Sequence, residues 1–489
     1  MTDIMPLPLK DAGLLRQAML IDGQWVQSDS GRTIEVRNPA SNALIAHVPD
    51  AGEAETYRAI AAAERALMRW RTTLAKERAA ILRCLYELML EHGDDLALLI
   101  TAEQGKPLAE ARGEISYAAS FIEWFAEEAK RANGQIIPEN LHGRRILVQK
   151  VPVGVFAAIT PWNFPAAMMT RKAGPGWAAG CTGIIKPASQ TPLTALALGV
   201  LAERAGLPAG VCNIVTGSAR AIGGALTASP IVRKLSFTGS TEVGALLLEQ
   251  CAPTIKRTSM ELGGNAPFIV FDDADLEMAV KAALVAKYRN SGQSCIGANR
   301  FLVQAGIHDA FAARLAEETA KLKVADGMEP DVAIGPLIDA AAVAKMEAHV
   351  ADAVARGARI ACGGHRHARA GHFFEPTVLV DVPRDAAIFD EETFGPVAPL
   401  FRFETEGEAI AMANDTPFGL AAYVCARDVG RIFRTVEGLE FGMVGVNEGL
   451  ISTEVAPFGG VKASGVGREG ASCGIEEYLE TKYVALGGI

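Results

Sequence analysis

The sequence predicts an α/β protein: two doubly wound domains with a small additional β element. Three observations lead there. The chain has 489 residues, too many for one simple hydrophobic core, so two or three domains are expected. From residue 151 onward, short apolar strands are separated by helix-like segments, the pattern of a parallel sheet. After residue 263 a second block repeats that alternation.

The elements follow in order. Residues 51–131 read as helical, because Ile81, Leu82, Leu85, Leu88 and Met89 recur at three- and four-residue spacing. Gly134 is a plausible helix stop. Segment 134–151, GQIIPENLHGRRILVQKV, has strand character and interrupts the first domain. VGVFAAI (153–159) reads as a buried strand, PWNFP (161–165) as a turn, and TGIIKP (182–187) as a second strand. A helix over 191–207 follows, then strands at VCNIVTG (211–217) and VRKLSFTG (232–239). The second block contributes APFIVF (266–271), RFLVQ (300–304), PTVLV (376–380), VAPLFRF (397–403) and MVGVN (443–447). The terminal YVALGGI also looks like a strand. The strands outside the two main sheets are available for oligomer contacts.

Composition narrows the function. Half the residues are hydrophobic and the net charge is −10, so nucleic acid is excluded as a partner and an anionic substrate must be held by a few placed arginines. The first residues carry no secretory pattern, and no apolar run reaches the ~18 residues of a membrane helix. A cytoplasmic protein is expected. Eight cysteines form no C-x-x-C pair, and the histidines of GGHRHARAGH (363–372) lack a completing ligand, so no metal is expected.

Four stretches carry chemistry. In NSGQSCIGANR (290–300), Cys295 sits among small polar residues rather than in an apolar run. Mobile polar backbone there suits a nucleophile; a buried structural thiol is the ordinary alternative. FTGSTEVG (237–244) ends a strand and opens a helix. Gly239 allows a tight turn, and the helix start near Ser240 offers free N–H groups to a pyrophosphate. A plain capped turn would look the same. In KPASQTP (186–192), Lys186 can reach ribose or phosphate, while Ser189 can bond a ligand, cap the next helix, or both. In MELGGN (260–265), Glu261 is either turned out by the glycines or held in a cleft as a base. GVGREG (465–470) matches a dinucleotide fingerprint but follows no βαβ unit, and is set aside.

PWNFP, KPASQTP, FTGSTEVG, MELGGN, GQSC, EETFGP (391–396) and PFGGVKASGVGRE (457–469) occur in one chain in this order. Together they resemble the aldehyde dehydrogenase superfamily, from about residue 20 to the end. RKAGPGWAAGCT, MELGGNAPFIVFDDADL, NEGLIS and GIEEYLETKYV look most like its succinate-semialdehyde dehydrogenases. The resemblance implies a cofactor-binding domain over 1–131 and 152–262, a catalytic domain over 263–470, and an oligomerisation element from 132–151 and 471–489. It implies Cys295 as nucleophile, Asn163 as oxyanion donor and Glu261 as hydrolytic base. Lys172 and Glu469 match positions proposed to relay protons. Cofactor positions would be Trp162, Lys186, Ser189, Gly239, Ser240, Leu262, Glu392 and Phe394. Ser189 standing where a glutamate binds a free 2′-hydroxyl points to NADP as preferred cofactor, with NAD possible. Arg171, Arg289 and Ser452 would hold the far carboxylate of the substrate, unless each arginine pairs with a protein carboxylate. The expected reaction is oxidation of succinate semialdehyde to succinate in a homodimer or homotetramer. Glutarate semialdehyde or another ω-carboxy aldehyde is the alternative substrate. A coenzyme-A-acylating relative is disfavoured by Glu261, and a non-catalytic binding protein by the intact Cys295, Glu261 and Asn163. Trp177 stands where relatives carry a smaller aliphatic residue, and either fills a core gap or shortens the pocket.

Overall fold

A computed structural model describes residues 4–488. The expected α/β architecture is present. One eight-stranded sheet has a parallel centre in the spatial order Arg257–Glu261, Val232–Thr238, Val155–Ile159, Thr182–Lys186, Cys212–Ile214. The chain lays down 155–159, 182–186 and 212–214 in one direction, then returns to add 232–238 on the other side of 155–159. That reversal is a topological switch point, and a crevice opens beyond the carboxyl ends of the two strands flanking it. A second, seven-stranded sheet is parallel except for its edge strand Arg359–Cys362. Its centre is Ala298–Gln304, Ala266–Val270 and Ala421–Cys425. Glu261 ends the last parallel strand of the first sheet, and Ala266 opens the second after only four residues. The carboxyl edge of one sheet therefore faces the amino edge of the other.

Both sheets take in strands that alternation did not reveal. Met19–Ile21 and Gln24–Val26 form a hairpin at the far edge of the first sheet. Each is three residues long, too short for a period to show. The signal was the Asp22-Gly23 pair, which adopts φ of 55° and 71° in the turn. At the opposite edge Gly465–Val466 pairs antiparallel with Arg257–Glu261, so a segment late in the chain closes over the first sheet. A third sheet joins Leu479–Gly487, Arg144–Pro152 and Gln135–Ile137, all antiparallel.

Four helices span the 51–131 region: Glu53–Trp70, Ala75–Glu91, Gly93–Gln104 and Leu108–Glu128. Gly134 does not stop the last of them, which ends at Glu128. Gly134 is small for another reason: a Cβ there would lie 2.2 Å from the Val148 carbonyl oxygen. Trp177 is a core residue, buried with Phe156 and Phe121. Among the described residues, no helix is long and apolar enough to cross a membrane.

Candidate active site between the two sheets

The switch point holds a cleft of about 360 Å³. Trp162 and Asn163 reach it from the turn after Val155–Ile159. Gly239 and Ser240 come from the turn after Val232–Thr238, and Leu262 from the end of Arg257–Glu261. Glu392, Phe394 and Cys295 complete its lining. Ser240 caps helix Thr241–Cys251 by accepting from the Val243 N–H. Gly239 is required by packing, since a Cβ would sit 2.4 Å from the Phe237 ring. Gly244 lets Leu262 approach the helix in the same way. The Trp162 and Phe394 rings meet edge to face at 5.6 Å. The Glu392 carboxylate accepts from the Gly264 N–H at 3.1 Å, and burial pushes its carboxyl up to about 7.

Lys186 and Ser189 lie one strand further along, outside the lining of this cleft. The Lys186 ammonium is buried with a single carbonyl partner, that of Pro187, and burial lowers it to about 8. Ser189 is half-buried. It does not cap the following helix, which begins at Leu193. The free N–H groups of Leu193 and Thr194 donate instead to the Glu103 carboxylate at 2.7 and 2.9 Å. Sequence reading missed Glu103, because it arrives from a different helix. This leaves Ser189 free for a ligand. The start of helix Thr241–Cys251, the under-partnered Lys186 ammonium and the half-buried Ser189 hydroxyl supply donors, and the Glu392 carboxylate an acceptor, in a set that fits a dinucleotide.

Cys295 precedes strand Ala298–Gln304, so in the second sheet the candidate nucleophile sits at the amino end of a strand. Its loop is neither mobile in character nor loosely held. Asn290, Ser291 and Gly292 all take positive φ, at 53°, 57° and 77°. Such a run costs free energy and persists because contacts enforce it. The Asn290 N–H donates to Glu110 at 2.7 Å, and its side-chain amide donates to the Asn163 carbonyl at 3.0 Å. Gly292 has no room for a Cβ, which would meet the Gly395 carbonyl oxygen at 2.2 Å. Small residues are there for fit, not freedom. Burial raises the Cys295 thiol to about 12, with the Glu392 charge adding to the effect.

The Asn163 side-chain amide points at this loop and donates to the Gln293 carbonyl at 3.1 Å. Glu261 is 2% exposed, and neither carboxylate oxygen has a hydrogen-bond partner among the described residues. Burial and the neighbouring Glu469 charge raise its carboxyl well above the usual range. Glu469 stays below that range despite burial, because Lys172 and Arg171 face it. Lys172 donates to Glu469 and, at 2.6 Å, to the Thr238 hydroxyl.

Beyond Cys295 a narrow space of about 20 Å³ is lined by Tyr117, Phe164, Met168, Arg171, Arg289, Ser452 and Phe458. The two arginines differ. Arg171 is paired with Glu469 at 2.7 Å and lies 3.8 Å over the Phe458 ring. The protein-carboxylate alternative weighed from sequence thus holds for Arg171. Arg289 donates to the Ser452 hydroxyl at 3.2 Å and rests over the Phe164 ring at 5.0 Å. Among the described residues it has no carboxylate within ion-pair distance. Arg289 and Ser452 are therefore a cation and a hydroxyl held toward this space; Glu110 feels the Arg289 charge, but no carboxylate touches it among the described residues.

This arrangement can add a thiolate to a carbonyl, hold the resulting oxyanion, accept a proton from water and recognise a distant anion. Comparison with known proteins shows what the whole chain is similar to. The family model described as "Aldehyde dehydrogenase family" matches residues 25–484. A glutarate-semialdehyde dehydrogenase of Pseudomonas aeruginosa is 62% identical over 99% of this chain and 100% of its own. A succinate-semialdehyde dehydrogenase (NADP(+)) of Escherichia coli is 62% identical over 98% of this chain and 100% of its own. The crystal structure of a succinate-semialdehyde dehydrogenase from Burkholderia pseudomallei superposes with a TM-score of 0.98. It is 57% identical and covers 98% of this chain and 100% of that one.

Proposed function

The chain belongs to the aldehyde dehydrogenase family, and on that premise we propose that it oxidises succinate semialdehyde to succinate with NADP as its preferred cofactor. It is an NAD(P)-dependent aldehyde dehydrogenase. The Cys295 thiolate forms a C–S bond to the aldehyde carbon, and the carbonyl electron pair moves to oxygen. The Asn163 amide and the Cys295 N–H receive that oxyanion. Trp162, Lys186, Ser189, Gly239, Ser240, Leu262, Glu392 and Phe394 would hold NADP, whose chemistry would be to accept the hydride that leaves the aldehyde carbon. Glu261 then takes a proton from water as its oxygen adds to the thioester carbon. Collapse expels the Cys295 thiolate and releases the acid. Lys172 beside Glu469 offers the proton a buried neighbour. We assign residues 1–131 and 152–262 to cofactor binding and 263–470 to catalysis, with the closing strand Gly465–Val466 lent back to the first sheet.

The observation that carries the substrate class is the unmatched Arg289 guanidinium beside Ser452. Arg289 is half-buried and touches no carboxylate among the described residues; a neutral aldehyde chain would leave it so, whereas a far carboxylate supplies a charge-assisted partner. Arg289→Ala should raise KM for succinate semialdehyde by about 30-fold or more, from a charge-assisted bond worth roughly 2 kcal/mol at least. KM for butanal should stay within about threefold, because butanal never engaged that bond. Initial rates with both aldehydes decide it: equal effects would return Arg289 to a structural role. Arg171→Ala is the poorer test, since it also frees Glu469 beside Glu261 and should harm both substrates. Glutarate semialdehyde is the second reading, favoured by the relative of that name at the same 62% identity.

The half-buried, uncommitted Ser189 hydroxyl supports the NADP preference. Ser189→Glu should lower kcat/KM for NADP by about tenfold or more through repulsion of the 2′-phosphate. The kcat/KM for NAD should hold or rise, because the new carboxylate can accept from the free 2′-hydroxyl. Should the variant treat both cofactors alike, Ser189 lies away from the 2′ position. The three-stranded sheet exposes Ile136 and Tyr483, and we take it as the contact of a cytoplasmic homodimer or homotetramer.

A further inference from the structure

A fully buried ion pair lies behind the candidate oxyanion site and has no part in the chemistry above. Lys106, just before helix Leu108–Glu128, and Glu114, on that helix, meet at 2.5 Å with essentially no exposure. Burying two charges is costly unless every remaining valence is matched. Here each is matched by the segment that carries Asn163. The Lys106 ammonium also donates to the Asn163 carbonyl at 2.7 Å and sits 3.9 Å from the centre of the Phe164 ring. The other Glu114 oxygen accepts from the Ala166 and Ala167 N–H groups, which open helix Pro165–Ala179. The loop bearing Lys106 is itself wedged: a Cβ on Gly105 would strike Pro336 at 2.6 Å and Pro39 at 2.8 Å. One turn before Glu114 on the same helix, Glu110 holds the Asn290 N–H of the cysteine loop. A single helix face thus fixes both segments that supply oxyanion donors.

We propose that Lys106 and Glu114 are positioning residues that set the Asn163 amide against Cys295, and that the pair is retained for catalytic geometry. This rests on the oxyanion reading of Asn163 and deepens it. Lys106→Met alone would strand a buried carboxylate, so the test uses the double variant K106M/E114Q, in which the glutamine oxygen still accepts from Ala166. With succinate semialdehyde and NADP, kcat should fall by about 30- to 100-fold with KM within about threefold, since a misplaced donor forfeits much of the 10²- to 10³-fold an oxyanion donor provides. Iodoacetamide alkylation of Cys295 forms no oxyanion and should proceed at the wild-type rate. In an Asn163→Ala background the same double change should cost under about threefold, because the group it positions is gone. Wild-type kcat in the double variant, or an undiminished loss in the Asn163→Ala background, overturns the proposal. An Asn163→Ala enzyme with wild-type kcat fails differently: it removes the oxyanion reading itself and the clamp with it. If the double variant does not fold, Glu114→Gln alone enters the same cycle, with about a fivefold loss of kcat expected and no loss overturning it.

Discussion

Glu261→Gln should complete one turnover and then nearly stop. The variant keeps Cys295, Asn163 and the cofactor cleft, so acylation remains possible. A glutamine cannot take the proton from water, so the thioester accumulates. Stopped-flow absorbance should show a burst of reduced cofactor close to one per active site. A steady state lowered by about 10²- to 10⁴-fold should follow, the usual worth of a positioned general base. The substitution is gentle on the fold, because neither carboxylate oxygen is committed to a hydrogen bond among the described residues. It also relieves repulsion with Glu469, one cause of the raised Glu261 carboxyl. The pH dependence carries a sign. A base works deprotonated, and burial has moved the Glu261 transition upward. Wild-type deacylation should therefore rise with pH through that transition, and the residual rate of the variant should lose the dependence. A steady state within tenfold of wild type would place the base elsewhere.

Much of this site was legible because its residues sit at strand ends, and strand ends are marked in sequence by an apolar run giving way to glycine, serine or proline. Thr238-Gly239-Ser240, Lys186-Pro187 and Glu261-Leu262-Gly263 all read that way. The parallel strands were equally visible, because burial on both faces makes them continuous apolar runs. What could not be read was pairing between distant segments. Nothing near Arg171 in the chain announces Glu469, yet that contact separates a neutralised arginine from the free one at 289. Glu103, Glu110 and Glu114 look like the solvated face of a helix, and each instead holds the first turn of a helix or the cysteine loop. Their spacing is ordinary; only the fold shows what they face. Cys295 was found for a partly mistaken reason. Its polar, small-residue surroundings suggested loose backbone, whereas those residues are small because the loop is crowded and left-handed.

Cys295→Ala should abolish aldehyde oxidation, with a loss on the order of 10⁵- to 10⁶-fold, the scale seen when the nucleophile of a covalent mechanism is removed. Cofactor binding should survive, because the residues facing the dinucleotide come from other strands and turns. Its survival, followed by quenching of protein fluorescence on titration with NADP, separates loss of chemistry from loss of fold. The wild-type thiol makes a further point. Burial and the Glu392 charge raise it to about 12, so at neutral pH almost none of it is thiolate. Alkylation by iodoacetamide should then be slow at pH 7 and rise about tenfold per pH unit, as expected for a nucleophile reacting only as the anion. The mutant should show no such phase. Fast, pH-independent alkylation would mean that the thiolate is already formed, and that the fold stabilises the anion beyond what Arg171 provides. A nucleophile held protonated by burial is protected from oxidation and stray electrophiles. For that reason the burial that keeps the Cys295 thiol protonated is compatible with its use in catalysis.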